Sequence, residues 1–254
     1  MYPGHGESSQ KFYHKTRTLT ESLRTAFFSS HHPRPVEFIY LDAVHDSEPC
    51  TPDSRTWGFG DHQVDRIRGL EKSIKFVLGV LGERGPFDGI LGFSTGGAVA
   101  VILASLLEGE HDFRQQQRLL LNLDDEKKPQ TKWRGSVFNI PLTPSPSNNH
   151  PPLRFVLAYS AFMLGHPMYT PLYTPSLKTP ILHYFCELDP IIPAPLTKEL
   201  CARCENGVIR SVYGTHFVPR TKESFLVLER FIKKVIGFDT GNETGSEDGC
   251  CAIG

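Results

Sequence analysis

The chain lacks an excess of either charge. Against 27 Lys and Arg stand 28 Asp and Glu over 254 residues, a net charge of −1. Binding nucleic acid or an anionic membrane surface by electrostatics needs a basic face, so neither partner is expected. No charged-then-apolar leader opens the chain and no stop-transfer segment follows, which makes a soluble, cytoplasmic protein the expectation. Cysteine is sparse. The six at positions 50, 186, 201, 204, 250 and 251 have no framework spacing, which excludes a small disulfide scaffold. Cys201 and Cys204 form a single C-x-x-C without a second pair or suitably spaced histidines, so a helix position is expected there and no metal. The ending Cys251-Ala252-Ile253-Gly254 has the outline of a prenylation box. Glycine is not a usual recognition residue there, and no polybasic stretch precedes it.

What is present is alternation. Leu19, Leu23 and Phe27 recur at helical spacing, and residues 36–41 read as a strand. Val64, Ile67, Ile74, Val77, Leu78 and Leu81 mark one helix face. Later strands are expected over 154–160, 180–186 and 208–213. A last helix over 222–236 carries Phe225, Leu226, Leu228, Phe231, Ile232 and Val235 inward. Strand and helix taking turns imply an α/β fold with a mostly parallel sheet. The length suits one sizeable domain, residues 1–238. Its interruption is a polar, Pro-rich insertion at about 108–152, expected to be mobile, with a lid as the alternative. The polar, glycine-rich residues 239–254 are expected to be a disordered tail.

The densest information lies in Asp88-Gly89-Ile90-Leu91-Gly92-Phe93-Ser94-Thr95-Gly96-Gly97-Ala98. A short apolar run leads into Gly-x-Ser-x-Gly, and residues 98–107 continue as a helix apolar nearly all round. Taken together, residues 90–107 are long enough for a membrane span, but the glycines and the central Ser94-Thr95 argue against one. The pattern is that of a nucleophile elbow, a serine held on a sharp strand-to-helix turn with its hydroxyl exposed. Side chains at Gly92, Gly96 and Gly97 would collide as strand and helix pass. By itself Gly-x-Ser-x-Gly is equally the pattern of a flexible turn. The strand before it and the helix after it favour the elbow.

A serine hydroxyl needs a base, and the base needs an acid to orient it. Asp189 stands just past the expected strand 180–186, and His216 just past 208–213, at the carboxyl ends where open α/β sheets place their chemistry. The order Ser94, Asp189, His216 is that of α/β-hydrolases. Glu187 is the reserve acid. His183, inside its strand, reads as a core residue.

On these stretches the chain resembles a known family, the fungal serine hydrolases of the α/β-hydrolase superfamily related to the human ovarian-cancer-associated hydrolase. The resemblance rests on residues 36–45, on Arg68-Gly69-Leu70-Glu71-Lys72-Ser73-Ile74 and on Gly85-Pro86-Phe87-Asp88 continuing to Ser94. It rests also on Glu187-Leu188-Asp189 and on Gly214-Thr215-His216-Phe217-Val218-Pro219. It implies that Ser94, Asp189 and His216 form the triad. Members open with an apolar strand running into a His-Gly-aromatic loop. Residues 2–12 align with that loop and almost nothing precedes them, so the first strand is expected to be shortened or missing. The oxyanion hole then uses the backbone N–H of Thr95 and one from this loop, that of His5.

The expected reaction is acyl transfer without a cofactor, on a small-molecule ester or thioester or a carrier-bound acyl chain. Phe162, Met163, Tyr169 and Tyr173 near the presumed rim suggest an apolar acyl group, although each taken singly reads first as a core residue. The resemblance implies a place in secondary-metabolite, polyketide-type chemistry. A lipase or peptidase with the same triad, and a non-catalytic binding protein on a degraded hydrolase fold, are the alternatives.

Overall fold

The alternation folds into four parallel strands standing side by side in chain order. The computed structural model describes residues 1–28, 35–48, 53–108 and 150–237. Most of the expected insertion and the whole tail lie outside these residues. First come α1 (Ser9–Phe28), a two-residue antiparallel pair of β1 (His45–Asp46) and β2 (Arg55–Thr56), and α2 (Leu70–Arg84). The sheet is β3 (Gly89–Phe93), β4 (Phe155–Tyr159), β5 (Ile181–Cys186) and β6 (Gly207–Val212). Between them run α3 (Thr95–Glu108), a 3₁₀ turn (Pro167–Tyr173) and α4 (Ala194–Cys201), with α5 (Lys222–Val235) last.

A parallel sheet is buried on both faces, so both alternate sets of its side chains must be apolar. Ile90, Val156, Ala158 and Ile181 enter one core with Val77 and Leu81 of α2 and Val99, Ile102 and Leu103 of α3. Leu91, Phe93, Leu157, Tyr159, Leu182 and Tyr184 enter the other, against Phe12, Leu19 and Leu23 of α1 and Leu228, Phe231 and Ile232 of α5. Each such side chain contributes about 1.5–3 kcal/mol when fully buried. The register pairs Phe93 with Tyr159 and Tyr159 with Tyr184, whose rings stack at 5.3 Å. It therefore brings the carboxyl ends of β3, β4 and β5 level. Thr95 to Leu106 of α3 are buried throughout, as an all-apolar helix requires.

Several expectations need correction. Residues 36–41 form no strand. A strand needs a ladder of partners, and the pairing found here is Met1, whose amine donates to the Ile39 carbonyl and whose carbonyl accepts from Leu41 N–H at 3.2 Å. Val64 and Ile67 precede the helix and are not on it. Gly69, at φ 81, breaks the backbone before Leu70. Phe59 and Arg68 exchange both backbone hydrogen bonds at 2.9 Å, which closes residues 59–68 into a loop. Leu226 is exposed on α5. The first strand is reduced to one paired residue: Tyr2 N–H donates to Leu91 O at 2.8 Å, and Phe93 N–H donates to Tyr2 O at 3.1 Å. That bridge sets where the next residues lie.

Candidate active site

Ser94 occupies the turn between β3 and α3 at φ 54. A non-glycine residue in that region is strained, and it persists only where its surroundings over-determine it. Here Ser94 N–H donates to Tyr159 O at 2.8 Å, and Ser94 O starts α3 by accepting from Ala98 N–H at 3.0 Å. The glycines leave no freedom. A Cβ at Gly92 would strike the Gly96 carbonyl, and one at Gly96 the carbonyls of Pro3 and Tyr2. One at Gly97 would lie 2.9 Å from Ala161 Cβ.

Asp189 and His216 come together from the loops after β5 and β6. His216 Nδ1 donates to Asp189 Oδ2 at 2.7 Å, and Ser160 Oγ donates to the same oxygen at 2.9 Å. Asp189 Oδ1 accepts from the N–H groups of Ile191 and Ile192 at 2.9 and 2.8 Å. Burial alone would raise the Asp189 pKa. The His216 hydrogen bond, the Ile192 and Ile191 N–H groups and the charge of His216 outweigh it, holding the carboxyl below its usual range. With Nδ1 engaged as donor, Nε2 of a neutral imidazole is left as the acceptor. The Phe93 ring lies against the imidazole with centroids 4.5 Å apart, so His216 sits beside the residue preceding Ser94. Among the described residues no hydrogen bond joins His216 to Ser94. Such contacts commonly tighten only when substrate is bound.

The rival acid is elsewhere: Glu187 is exposed and accepts from Ser211 Oγ at 2.9 Å. His183 lies in β5 between Ala158 and Ile209, fully buried, with neither ring nitrogen hydrogen-bonded among the described residues. Burial pushes its pKa down to about 3.

The loop after Tyr2 faces Ser94. A Cβ on Gly4 would be 3.1 Å from Phe93 Cδ1 and 3.3 Å from Ser94 Cβ, so the Pro3-Gly4-His5 backbone lies against the serine. Trp57 Nε1–H donates to Pro3 O at 2.9 Å, Gly6 N–H donates to Arg55 O at 2.8 Å, and His5 Nδ1 pairs with Thr56 Oγ1 at 2.9 Å. Thr95 is the first residue of α3, where backbone N–H groups lack helical partners and attract negative charge. Trp57 has no signal in the sequence, because its work depends on a carbonyl 54 residues away.

Of the two readings of the aromatic residues after β4, rim and core, the core one holds. Phe162, Tyr169 and Tyr173 are core residues, with Met163 packed partly against them. The tyrosine hydroxyls accept from the N–H groups of Ile67 at 2.9 Å and Leu164 at 3.1 Å. Exposed apolar residues flank the acid and base along the chain: Leu188 and Ile191 near Asp189, 52% and 62% exposed, and Tyr213 and Phe217 near His216, 76% and 37% exposed. Their adjacency to the acid and base was the available signal. A cavity of about 380 Å³ lies apart, along the outer edge of β3, lined by Gly89, Ile90 and Leu91 with Phe27, Phe38 and Ile39. Cys201 ends α4, and the thiol of Cys204 donates to Leu200 O at 3.3 Å. Among the described residues no helix is long and apolar enough to cross a membrane.

A parallel sheet packed between helices, with a buried serine held at positive φ in the turn from strand to helix, is the architecture of the α/β-hydrolase fold class. Solved structures of that architecture superpose on the chain. A variant of Arabidopsis thaliana SOBER1 gives a TM-score of 0.58 at 13% identity, covering 92% of this chain and 97% of the other. Zea mays acyl-protein thioesterase 2 gives 0.53 at 14%, covering 93% and 92%. Within the class, the chain belongs to the family described as serine hydrolase (FSH1), whose model matches residues 1–226. It is thus an enzyme of the hydrolase class. Among its relatives, the esterase OVCA2 of Bos taurus is 29% identical over 85% of this chain and 86% of its own.

Proposed function

We propose that the protein hydrolyses an ester or thioester of an apolar acyl group through a Ser94 acyl-enzyme. The observation that carries this reading is the 2.7 Å hydrogen bond from His216 Nδ1 to a carboxylate with both oxygens held, with the imidazole against Phe93, the residue before Ser94. His216 Nε2 takes the proton of Ser94, whose oxygen attacks the carbonyl carbon. The backbone N–H groups of Thr95 and His5 hold the resulting oxyanion. His216 then protonates the leaving alcohol or thiol, and a water, deprotonated in turn by His216, releases the acid. Asp189 keeps the imidazole in its tautomer and stabilises its cation.

An apolar acyl group is supported by exposed apolar residues that flank the acid and base in the chain, Leu188 and Ile191 near Asp189 and Phe217 next to His216. Esters are supported by the named activity of the bovine relative and thioesters by that of the maize structure. We assign the fold to a single domain over 1–238. The family resemblance supports a cytoplasmic role in fungal secondary-metabolite, polyketide-type biosynthesis, where a carrier-bound acyl chain is the natural thioester. The exposed apolar residues flanking Asp189 and His216 in the chain favour a second reading, a lipase; rates on dissolved against micellar esters separate the two.

Fluorophosphonate labelling tests the chemistry. At pH 8 the wild type should label and Ser94→Ala should not. A folded wild type that does not label leaves only a binding protein on a hydrolase fold.

A further inference from the structure

Ser160 lies just past β4 at φ 45, in the left-handed region where glycine is the residue of least strain. It is almost wholly buried. A strained serine where glycine would be easier raises the question of what its hydroxyl does. Two contacts answer it. Ser160 Oγ donates to Asp189 Oδ2 at 2.9 Å, and Ser160 N–H donates to Tyr184 O at 2.7 Å. The preceding carbonyl, that of Tyr159, accepts from Ser94 N–H at 2.8 Å. The end of β4 therefore anchors the nucleophile turn by its backbone and the acid by its side chain.

A carboxylate offers about four lone-pair sites. At Asp189 the donors are the N–H groups of Ile191 and Ile192 on Oδ1, and Ser160 Oγ and His216 Nδ1 on Oδ2. The two N–H groups belong to the same loop as Asp189 and move with it. Ser160 belongs to the rigid sheet. It is the contact that fixes Oδ2 relative to Ser94, and so leaves the second site of that oxygen aimed at His216. The Cys186 thiol is a neighbour of both the Ser160 hydroxyl and the Asp189 carboxylate, and it donates to Phe217 O at 3.5 Å.

We propose that Ser160 is a positioning residue of the hydrolase, registering Asp189, and through it His216, to the nucleophile by way of its hydroxyl. This rests on the triad reading above. The test is Ser160→Gly, which removes the hydroxyl while relieving the left-handed backbone, with Ser160→Ala beside it. In a wild type that labels with fluorophosphonate, both variants should label and turn over about tenfold more slowly, the share of a hydrogen bond to a charged group. KM should stay within twofold, because Ser160 is buried behind the acid. The melting temperature of Ser160→Gly should match or exceed that of Ser160→Ala. A folded Ser160→Gly with kcat within twofold of wild type would overturn the proposal and leave the triad standing. An unlabelled wild type overturns the triad reading and this proposal with it.

Discussion

Gly96→Ala tests whether the loop after Tyr2 is held against Ser94 by packing. The new Cβ would stand 2.5 Å from Tyr2 O and nearer still to Pro3 O, both backbone atoms that cannot rotate aside. Ordinary carbon contacts begin near 3.5 Å, so the loop has to retreat by about 1 Å. Both carbonyls are anchored, Tyr2 O by Phe93 N–H at 3.1 Å and Pro3 O by Trp57 Nε1–H at 2.9 Å. Overpacking costs about 1–3 kcal/mol, and weakening two hydrogen bonds adds about 0.5–1.5 kcal/mol each. For a chain of this size that total of about 2–6 kcal/mol lowers the melting temperature by roughly 5–25 °C. The rate should suffer independently. Misplacing a catalytic group by about 1 Å costs about 10², and losing one oxyanion donor costs about 10²–10³. The assay is kcat on a chromogenic ester, below the melting temperature of the variant, beside calorimetry. Destabilisation with kcat intact would show that the loop supplies no donor. A variant with wild-type melting and wild-type kcat would refute the packing argument altogether.

Two further substitutions probe stability alone. His183→Leu removes an imidazole buried without a hydrogen bond among the described residues and should stabilise the fold by about 1–3 kcal/mol. The gain should widen on acidification. An unfolded histidine takes up a proton near pH 6.5, whereas His183 in the fold does so only near pH 3, so the unfolded state binds more protons between those values. Stability tied to this residue is intact above pH 6.5 and is lost as pH falls toward 3. Denaturant midpoints of both proteins from pH 7 to pH 4 should diverge, and parallel curves would contradict the assignment. Gly79→Ala sits within α2, where an added Cβ meets nothing within 4 Å. It should raise stability by about 0.5–1 kcal/mol with kcat unchanged, and a fall in either would show an unseen neighbour.

The candidate site was legible wherever its chemistry is written in adjacent residues. Ser94 stands out because the glycines at 92, 96 and 97 are each required within a few residues of it. Asp189 stands out because it follows an apolar run long enough to be a buried strand, and His216 because it follows the next strand, 208–213, although that edge strand carries Arg210 and Ser211 and is only partly buried. The two-sided burial of β3, β4 and β5 likewise follows from their unbroken apolar composition. Misreadings occurred where a local pattern lacks its distant partner. Residues 36–41 have strand composition but no ladder, and Val64 and Ile67 continue the α2 period across a glycine that ends it. The tyrosines at 169 and 173 are compatible in sequence with rim or core, and only the fold decides for the core, where their hydroxyls hold loops.

The sequence by itself determined the order of strand and helix, the strained serine turn and the residue types available for its chemistry. Only the tertiary structure decided which donors hold Asp189 and what presses Pro3-Gly4-His5 onto Ser94. Trp57 with Pro3 and Ser160 with Asp189 are hydrogen-bonded across 54 and 29 residues. Such pairs leave no periodicity in the chain, because a hydrogen bond is set by distance and direction in the folded sheet and not by spacing along it.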